Sequence, residues 1–116
     1  MMIRTPYPAD ADGDAIRRVE NDGSDMSLPM DIDLSVDVPD EPTAVAVANA
    51  ASDAGYRASV VFDDEDSSWS VYCTTRMLLT YDGIIAEQAA LEAICKPLGG
   101  TCDGWGTFGN TPSTEP

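Results

Sequence analysis

Residues 30–38 read Met30-Asp31-Ile32-Asp33-Leu34-Ser35-Val36-Asp37-Val38, so apolar and polar side chains alternate over nine positions. Successive side chains of a β-strand point to opposite faces of the sheet, and this pattern therefore predicts a strand with one buried face and one wet face. The wet face would carry Asp31, Asp33 and Asp37. A sheet built around this strand is expected to have a core on one side and carboxylates on the other.

The segment before this strand predicts a short N-terminal helix between Asp10 and Asp22. Asp12 or Asp14 is expected to cap its first turn, because a carboxylate there can accept the free backbone N–H groups of a helix start. Gly23 is the expected stop.

The segments after the strand alternate between helical and extended patterns. Alanine-rich and i, i+4, i+7 spacings predict the helices, and runs of β-branched and aromatic residues bounded by turn residues predict the strands. In chain order these are a helix over 43–54, a strand over 56–62, an acidic turn over 63–67, a strand over 68–75, a helix that Thr80 caps and that runs to Leu98, and a strand over 101–108.

The resulting order, βαββαβ, is that of ferredoxin-like α+β folds. We therefore expect a four-stranded antiparallel sheet with the first and third strands in the middle, two helices on one face, and the short N-terminal helix in addition. A chain of 116 residues fits a single domain, which we place at 10–109. The proline-containing ends, 1–9 and 110–116, are expected to be flexible.

The charge of the chain is strongly negative. There are 21 acidic residues against 6 basic ones, with no histidine, and the formal net charge is −15. Such a chain repels polyanions, so direct binding of DNA or RNA is not expected. The acidity has two explanations at this point: it maintains solubility or reflects the habitat of the organism, or it forms a surface for a basic protein partner.

Metal and cofactor chemistry find little support in the sequence. The three cysteines, Cys73, Cys95 and Cys102, lack CxxC spacing, and no histidine is present to complete a zinc site or a catalytic triad. The segment 10–14 is similar to the start of a calcium loop, but its glycine stands at the fourth place and Asn21 occupies the twelfth. We expect no metal, no cofactor and no catalytic residue.

Cysteine usage and hydropathy also bear on location. We expect reduced thiols, with Cys73 and Cys95 as small buried groups. No stretch of about 18 apolar residues is present, and the first residues lack the apolar run of a signal peptide. The expected location is the cytoplasm, without membrane contact.

The candidate binding residues are acidic, with one aromatic exception. The turn 63–66 is either a solvated loop or part of a partner surface, and Trp105, between two glycines, is either a packing residue or an exposed anchor. The strand over 68–75 lacks the basic-glycine-aromatic pattern of RNA-binding sheets. The full candidate set is Asp31, Asp33, Asp37, Asp63, Asp64, Glu65, Asp66, Asp103 and Trp105.

Four segments together resemble the regulator of ribonuclease E activity B (RraB) family. They are the Asp-Asp-Glu-Asp-x-x-Trp run of 63–69, the helix start at Thr80, the Cys-Asp-Gly-Trp-Gly-Thr run of 102–107, and the segment 13–25 with its Asp-Gly-Ser-Asp end. The resemblance covers about 12–109. It implies a ferredoxin-like fold and a non-catalytic acidic protein that binds a ribonuclease E-like endoribonuclease and lowers its cleavage of RNA.

The chain departs from the family pattern at its end. Better-known members of the family continue into an acidic tail, whereas residues 110–116 contain a single acid. Three functions therefore remain open: inhibition or modulation of such a nuclease, binding of a different basic partner as an acidic adaptor, and the activity of a small enzyme. The sequence does not indicate the oligomeric state.

Overall fold

The computed structural model describes residues 9–110, which form a mixed α+β fold with a four-stranded antiparallel sheet and three α-helices. The predicted flexible ends fall almost entirely on residues 1–8 and 111–116, which lie outside the described residues. The elements are α1 (Ala11–Asn21), β1 (Met30–Val38), α2 (Glu41–Asp53), β2 (Arg57–Asp63), β3 (Ser68–Met77), α3 (Tyr81–Cys95), a 3-10 turn (Lys96–Leu98) and β4 (Thr101–Gly106).

The strands lie in the order β2-β3-β1-β4, so β1 and β3 occupy the middle of the sheet. β1 and β3 pair without interruption from Met30 opposite Met77 to Val38 opposite Trp69. β4 pairs with the other side of β1, and its register shifts between Leu34 and Val36. This shift is a bulge on an edge strand.

The alternation of β1 is confirmed residue by residue. Met30, Ile32, Leu34 and Val36 have no exposed surface and Val38 keeps 8%. They form one core with buried residues of all three helices, including Ile16, Val47, Ile84 and Leu91. The apolar face of the sheet is therefore covered by the helices, and the other face carries the polar side chains of β1.

The helix starts follow local capping rules, with one correction. Thr80 caps α3 as predicted, since its hydroxyl accepts the N–H of Gly83 at 3.0 Å. α1 is capped by Asp10, whose carboxylate accepts the Gly13 N–H at 2.8 Å, and not by Asp12 or Asp14. The helix starts at Ala11, so both of these aspartates lie within its first turn and cannot be its cap.

The end of α3 also differs from the prediction. The α-helix ends at Cys95, and Leu98, predicted to continue its buried face, is 40% exposed. Pro97 explains this end, because proline has no N–H for an i→i−4 bond and its ring clashes with the preceding turn. Gly99 then adopts a φ of 100°, which returns the chain toward β4.

Candidate functional site

The face of the sheet opposite the helices is open and polar. β1 places Asp31, Asp33, Ser35 and Asp37 on it, and each stands directly across from a polar or aromatic residue of β3. Tyr72 occupies the middle of this face and is 42% exposed. The cross-strand pairs are Asp31 with Arg76, Asp33 with Thr74, Ser35 with Tyr72, and Asp37 with Ser70.

The Asp31 end of the open face is locally neutralised. One carboxylate oxygen of Asp31 lies 3.3 Å from Nη1 of Arg76, and the other lies 3.6 Å from Nη2 of Arg57. Next to it, the Thr74 hydroxyl donates a hydrogen bond to Asp33. These ion pairs are exposed and each stabilises by less than about 1 kcal/mol, but together they cancel the negative charge at this end.

The opposite end of the open face collects carboxylates instead. Asp37, Asp63, Asp66 and Asp103 line a shallow groove of about 560 Å³ that we call the acidic groove, and none of its lining residues is basic. Burial raises the pKa of Asp37, and the neighbouring Asp103 raises it further by charge repulsion. The carboxylate of Asp37 therefore lies close enough to Asp103 for the two charges to repel one another.

Only part of the predicted acidic turn belongs to the acidic groove. Asp63 and Asp66 belong to the acidic groove, whereas Asp64 and Glu65 are exposed at the hairpin tip and do not line it. The backbone N–H of Glu65 donates to the Asp63 carboxylate at 2.9 Å, which fixes the start of the turn. Two of the four candidates in this turn therefore join the sheet residues.

A second groove, of about 740 Å³, follows the open face beside β4 and contains groups that sequence reasoning missed. Tyr72 and Arg57 line it, and Phe108, which is 97% exposed, stands at its rim. The alternation of β3 was the signal that could have placed Tyr72 on this face, because it stands between the buried Val71 and Cys73. Phe108 lies beyond the end of β4 and offered no comparable pattern.

Trp105 lies on the other side of the sheet. It pairs with the buried Leu34, is partly buried against the core, and its indole Nε1 donates to the Asp12 carboxylate in α1 at 2.9 Å. Its neighbour Gly104 has a φ of 111° at the bulge, a conformation that side chains rarely adopt. The ring of Trp105 is thus held against the core and α1, although the residue also borders the groove beside β4.

The cysteines do not form a reactive site. Cys73 and Cys95 are buried, and burial raises the pKa of each thiol to about 11. Burial also raises the pKa of the half-buried Cys102. Since the thiolate is the nucleophile and the metal ligand, these shifts disfavour the reactive form of each thiol near neutral pH.

Metal-binding groups and membrane-spanning helices were sought within residues 9–110. No group of three or more acidic or cysteine side chains in this range is arranged to hold a metal ion. None of the helices found there has both the length and the apolar character that crossing a membrane requires.

Fold and site together define a small α+β protein with a helix-covered core face and an open polar face that is acidic at one end. The chain belongs to the family described as Regulator of ribonuclease activity B, whose family model matches residues 9–107. This confirms the family predicted from the acidic turn and the Cys-Asp-Gly-Trp-Gly-Thr run. A search among curated proteins found no match. The family is regulatory and non-catalytic, and the activity that it regulates is that of ribonucleases.

Proposed function

We propose that this protein binds a ribonuclease E-like endoribonuclease and inhibits or modulates its cleavage of RNA. Membership in the family supports a role in regulating a ribonuclease, and the acidic groove supports contact with a basic surface of that partner. The protein acts in this proposal on the enzyme and not on the RNA, because a net charge of −15 repels the substrate. No chemical step is required.

The acidic groove is the proposed contact for arginine or lysine side chains of the partner. Four carboxylates converge there without a basic neighbour in the groove lining, so a partner cation meets an attractive potential that is not already compensated. The raised pKa of Asp37 adds to this, since an incoming positive charge relieves the repulsion from Asp103. Tyr72 also lines the groove and offers a ring face to a guanidinium group.

The remaining candidates have smaller roles in this proposal. Asp31 and Asp33 are engaged with Arg57, Arg76 and Thr74, so they orient the open face more than they attract a partner. Trp105 stabilises β4 against α1 and takes no part in binding.

The proposal also includes the finer predictions of fold and location. The element order together with the strand order β2-β3-β1-β4 supports a ferredoxin-like arrangement. The cytoplasm suits the three unpaired cysteines, because thiols stay reduced there.

The test is binding and cleavage with purified components. A purified ribonuclease E-like enzyme would be titrated with the full chain at low salt, and its cleavage of a fluorescent RNA would be followed in parallel. The double variant Asp37→Asn/Asp103→Asn is expected to bind roughly tenfold more weakly, since about two charge contacts of up to 1 kcal/mol are lost. The control Glu20→Gln/Asp53→Asn removes the same charge from exposed helix positions and is expected to change binding less than about twofold.

Two outcomes would contradict the proposal. Absence of association at low salt together with unchanged cleavage would reject the nuclease as partner. Equal weakening by both double variants would show that net charge, and not the acidic groove, determines binding. Salt-sensitive capture of a different basic protein would favour the adaptor alternative, which the acidic groove supports equally well.

A further inference from the structure

The outer edge of β2 is an unprotected strand edge. β2 is the last strand of the sheet in the part of the chain that the structure describes, and it pairs regularly with β3 over its whole length, from Arg57 to Asp63. Its centre has no proline, bulge or charge, and Val60, Val61 and Phe62 are 39%, 38% and 44% exposed. Long, regular, apolar edges of this kind are templates for pairing with another strand.

The opposite edge of the sheet is protected in ways that β2 is not. β4 has a register shift against β1, and Gly104 in it has a φ of 111°. In addition, the Glu92 carboxylate of α3 accepts the backbone N–H of Cys102 at 2.9 Å, so this group is not available to an incoming strand. Bulges and covered edges are common means of preventing edge pairing.

The sequence of β2 is complementary to itself when it is reversed about Val60. In an antiparallel pair of two β2 strands, odd-numbered residues stay on the open face and even-numbered residues stay on the helix side. The resulting pairs are Arg57 with Asp63 of the second copy, Ala58 with Phe62, Ser59 with Val61, and Val60 with itself.

Two of these pairs are favourable, one in charge and one in size. Arg57 and Asp63 form an ion pair on the open face, and the twofold axis repeats it at the other end of the strand. On the helix side the half-exposed ring of Phe62 faces the small Ala58, which leaves room for it. We propose that two copies of this chain pair antiparallel through their β2 edges, which joins their sheets into one continuous sheet with twofold symmetry.

The net charge sets the conditions for this dimer. Two chains of charge −15 repel one another at low ionic strength, and added salt screens this long-range repulsion more than it weakens contacts at the interface. Dimerisation is therefore expected to strengthen with salt. Binding of a basic partner to the acidic groove would weaken with salt, so the opposite salt dependence distinguishes the two proposals even though both use Asp63.

The experiment measures the dimerisation constant of the full chain by sedimentation equilibrium at low and at about 0.5 M salt, where the Debye length is below about 8 Å. Arg57→Asp and Asp63→Arg each replace two attractive pairs with two repulsive ones and are expected to weaken dimerisation roughly tenfold or more. Mixing the two single variants is expected to restore association, because every introduced charge then faces its opposite. The double variant Arg57→Asp/Asp63→Arg is expected to dimerise like the wild type.

Matched controls separate the pairing from net charge. Arg76→Asp and Asp64→Arg make the same changes in charge next to the tested residues but outside β2, and both are expected to retain dimerisation. The proposal is overturned if the wild type stays monomeric at every salt concentration, if the single variants dimerise normally, or if their mixture does not associate. Recovery in the mixture also shows that both variants are folded.

Discussion

The contact between Trp105 and Asp12 allows the packing role of the tryptophan to be measured. The indole Nε1 donates to the Asp12 carboxylate at 2.9 Å in a partly buried position, and this bond ties β4 to α1. Hydrogen bonds to charged groups stabilise by about 1.5–3 kcal/mol, more than neutral ones. A second bond to Asp12, from Gln88, is longer at 3.4 Å and is expected to contribute less.

The perturbation is a double-mutant cycle. Trp105→Phe keeps most of the ring contact with the core but removes the donor, and we expect it to lower the free energy of unfolding by about 2 kcal/mol. Asp12→Ala leaves the indole N–H without its acceptor and is expected to cost a similar amount. The double variant should lose about 1.5 kcal/mol less than the sum, which is the coupling of the pair. Asp12→Asn keeps an acceptor oxygen and serves as the control with the smallest loss.

The assay is urea unfolding followed by circular dichroism, which does not depend on tryptophan fluorescence. A change in the midpoint with an unchanged slope reports stability alone. Additivity of the two single effects within about 0.5 kcal/mol would refute the reasoning, because residues without mutual contact behave in this way. Loss of nuclease binding by Trp105→Phe with unchanged stability would make Trp105 a recognition residue instead.

Three further predictions address the core, the acidic groove and the thiols. Gly100→Ala should destabilise by about 1–3 kcal/mol in thermal unfolding, because the new Cβ would lie 2.9 Å from a methyl group of Val36, whereas Gly106→Ala meets nothing within 4 Å and should cost less than about 1 kcal/mol. Asp37→Asn should stabilise by about 0.5 kcal/mol at pH 7. The raised pKa of Asp37 means that protonation of this carboxyl stabilises the folded chain. In the wild type this stabilisation is fully present below the ordinary pKa of 3.8 and is lost as the pH rises through the pKa of the folded state. Denaturation curves of the wild type and the variant should therefore converge near pH 3. A thiol reagent at pH 8 should label Cys102 before the two buried cysteines, and equal rates for all three would contradict their burial.

Local patterns in the sequence predicted local structure well. The alternation of β1 identified its buried face, because a shift of the strand by one residue would turn every apolar side chain to the solvent. Thr80 was recognisable as a cap, because a hydroxyl can accept a hydrogen bond from the free backbone N–H three residues later, here that of Gly83. Asp10 was missed, since three aspartates of the same chemistry stand at 10, 12 and 14 and only the actual start of α1 distinguishes them.

The distribution of charge over the open face was beyond prediction from the sequence. Asp31 is neutralised by Arg57 and Arg76, which are distant in the chain and reach it through the register of three strands. Trp105 illustrates the same limit, because its choice of face depends on pairing with Leu34 across a bulge. Spacing in one strand indicates parity, but the partner strand decides which charges meet.

The alternating pattern of β1, which places three aspartates on the open face, therefore gives a misleading measure of the potential that this face offers to a partner. Chemically identical carboxylates on one strand lie in unequal electrostatic potentials, because two arginines stand beside Asp31 and a further carboxylate stands beside Asp37. A cationic partner gains most where negative charge is crowded and uncompensated, so binding should concentrate at the Asp37 end. Arg57, one of the two arginines beside Asp31, lies on β2, where its proposed second role is to meet Asp63 of another copy. In the proposed dimer Arg57 would meet Asp63, which also lines the acidic groove. Dimerisation would then neutralise one of the four carboxylates of the groove and leave Asp37, Asp66 and Asp103 for a basic partner.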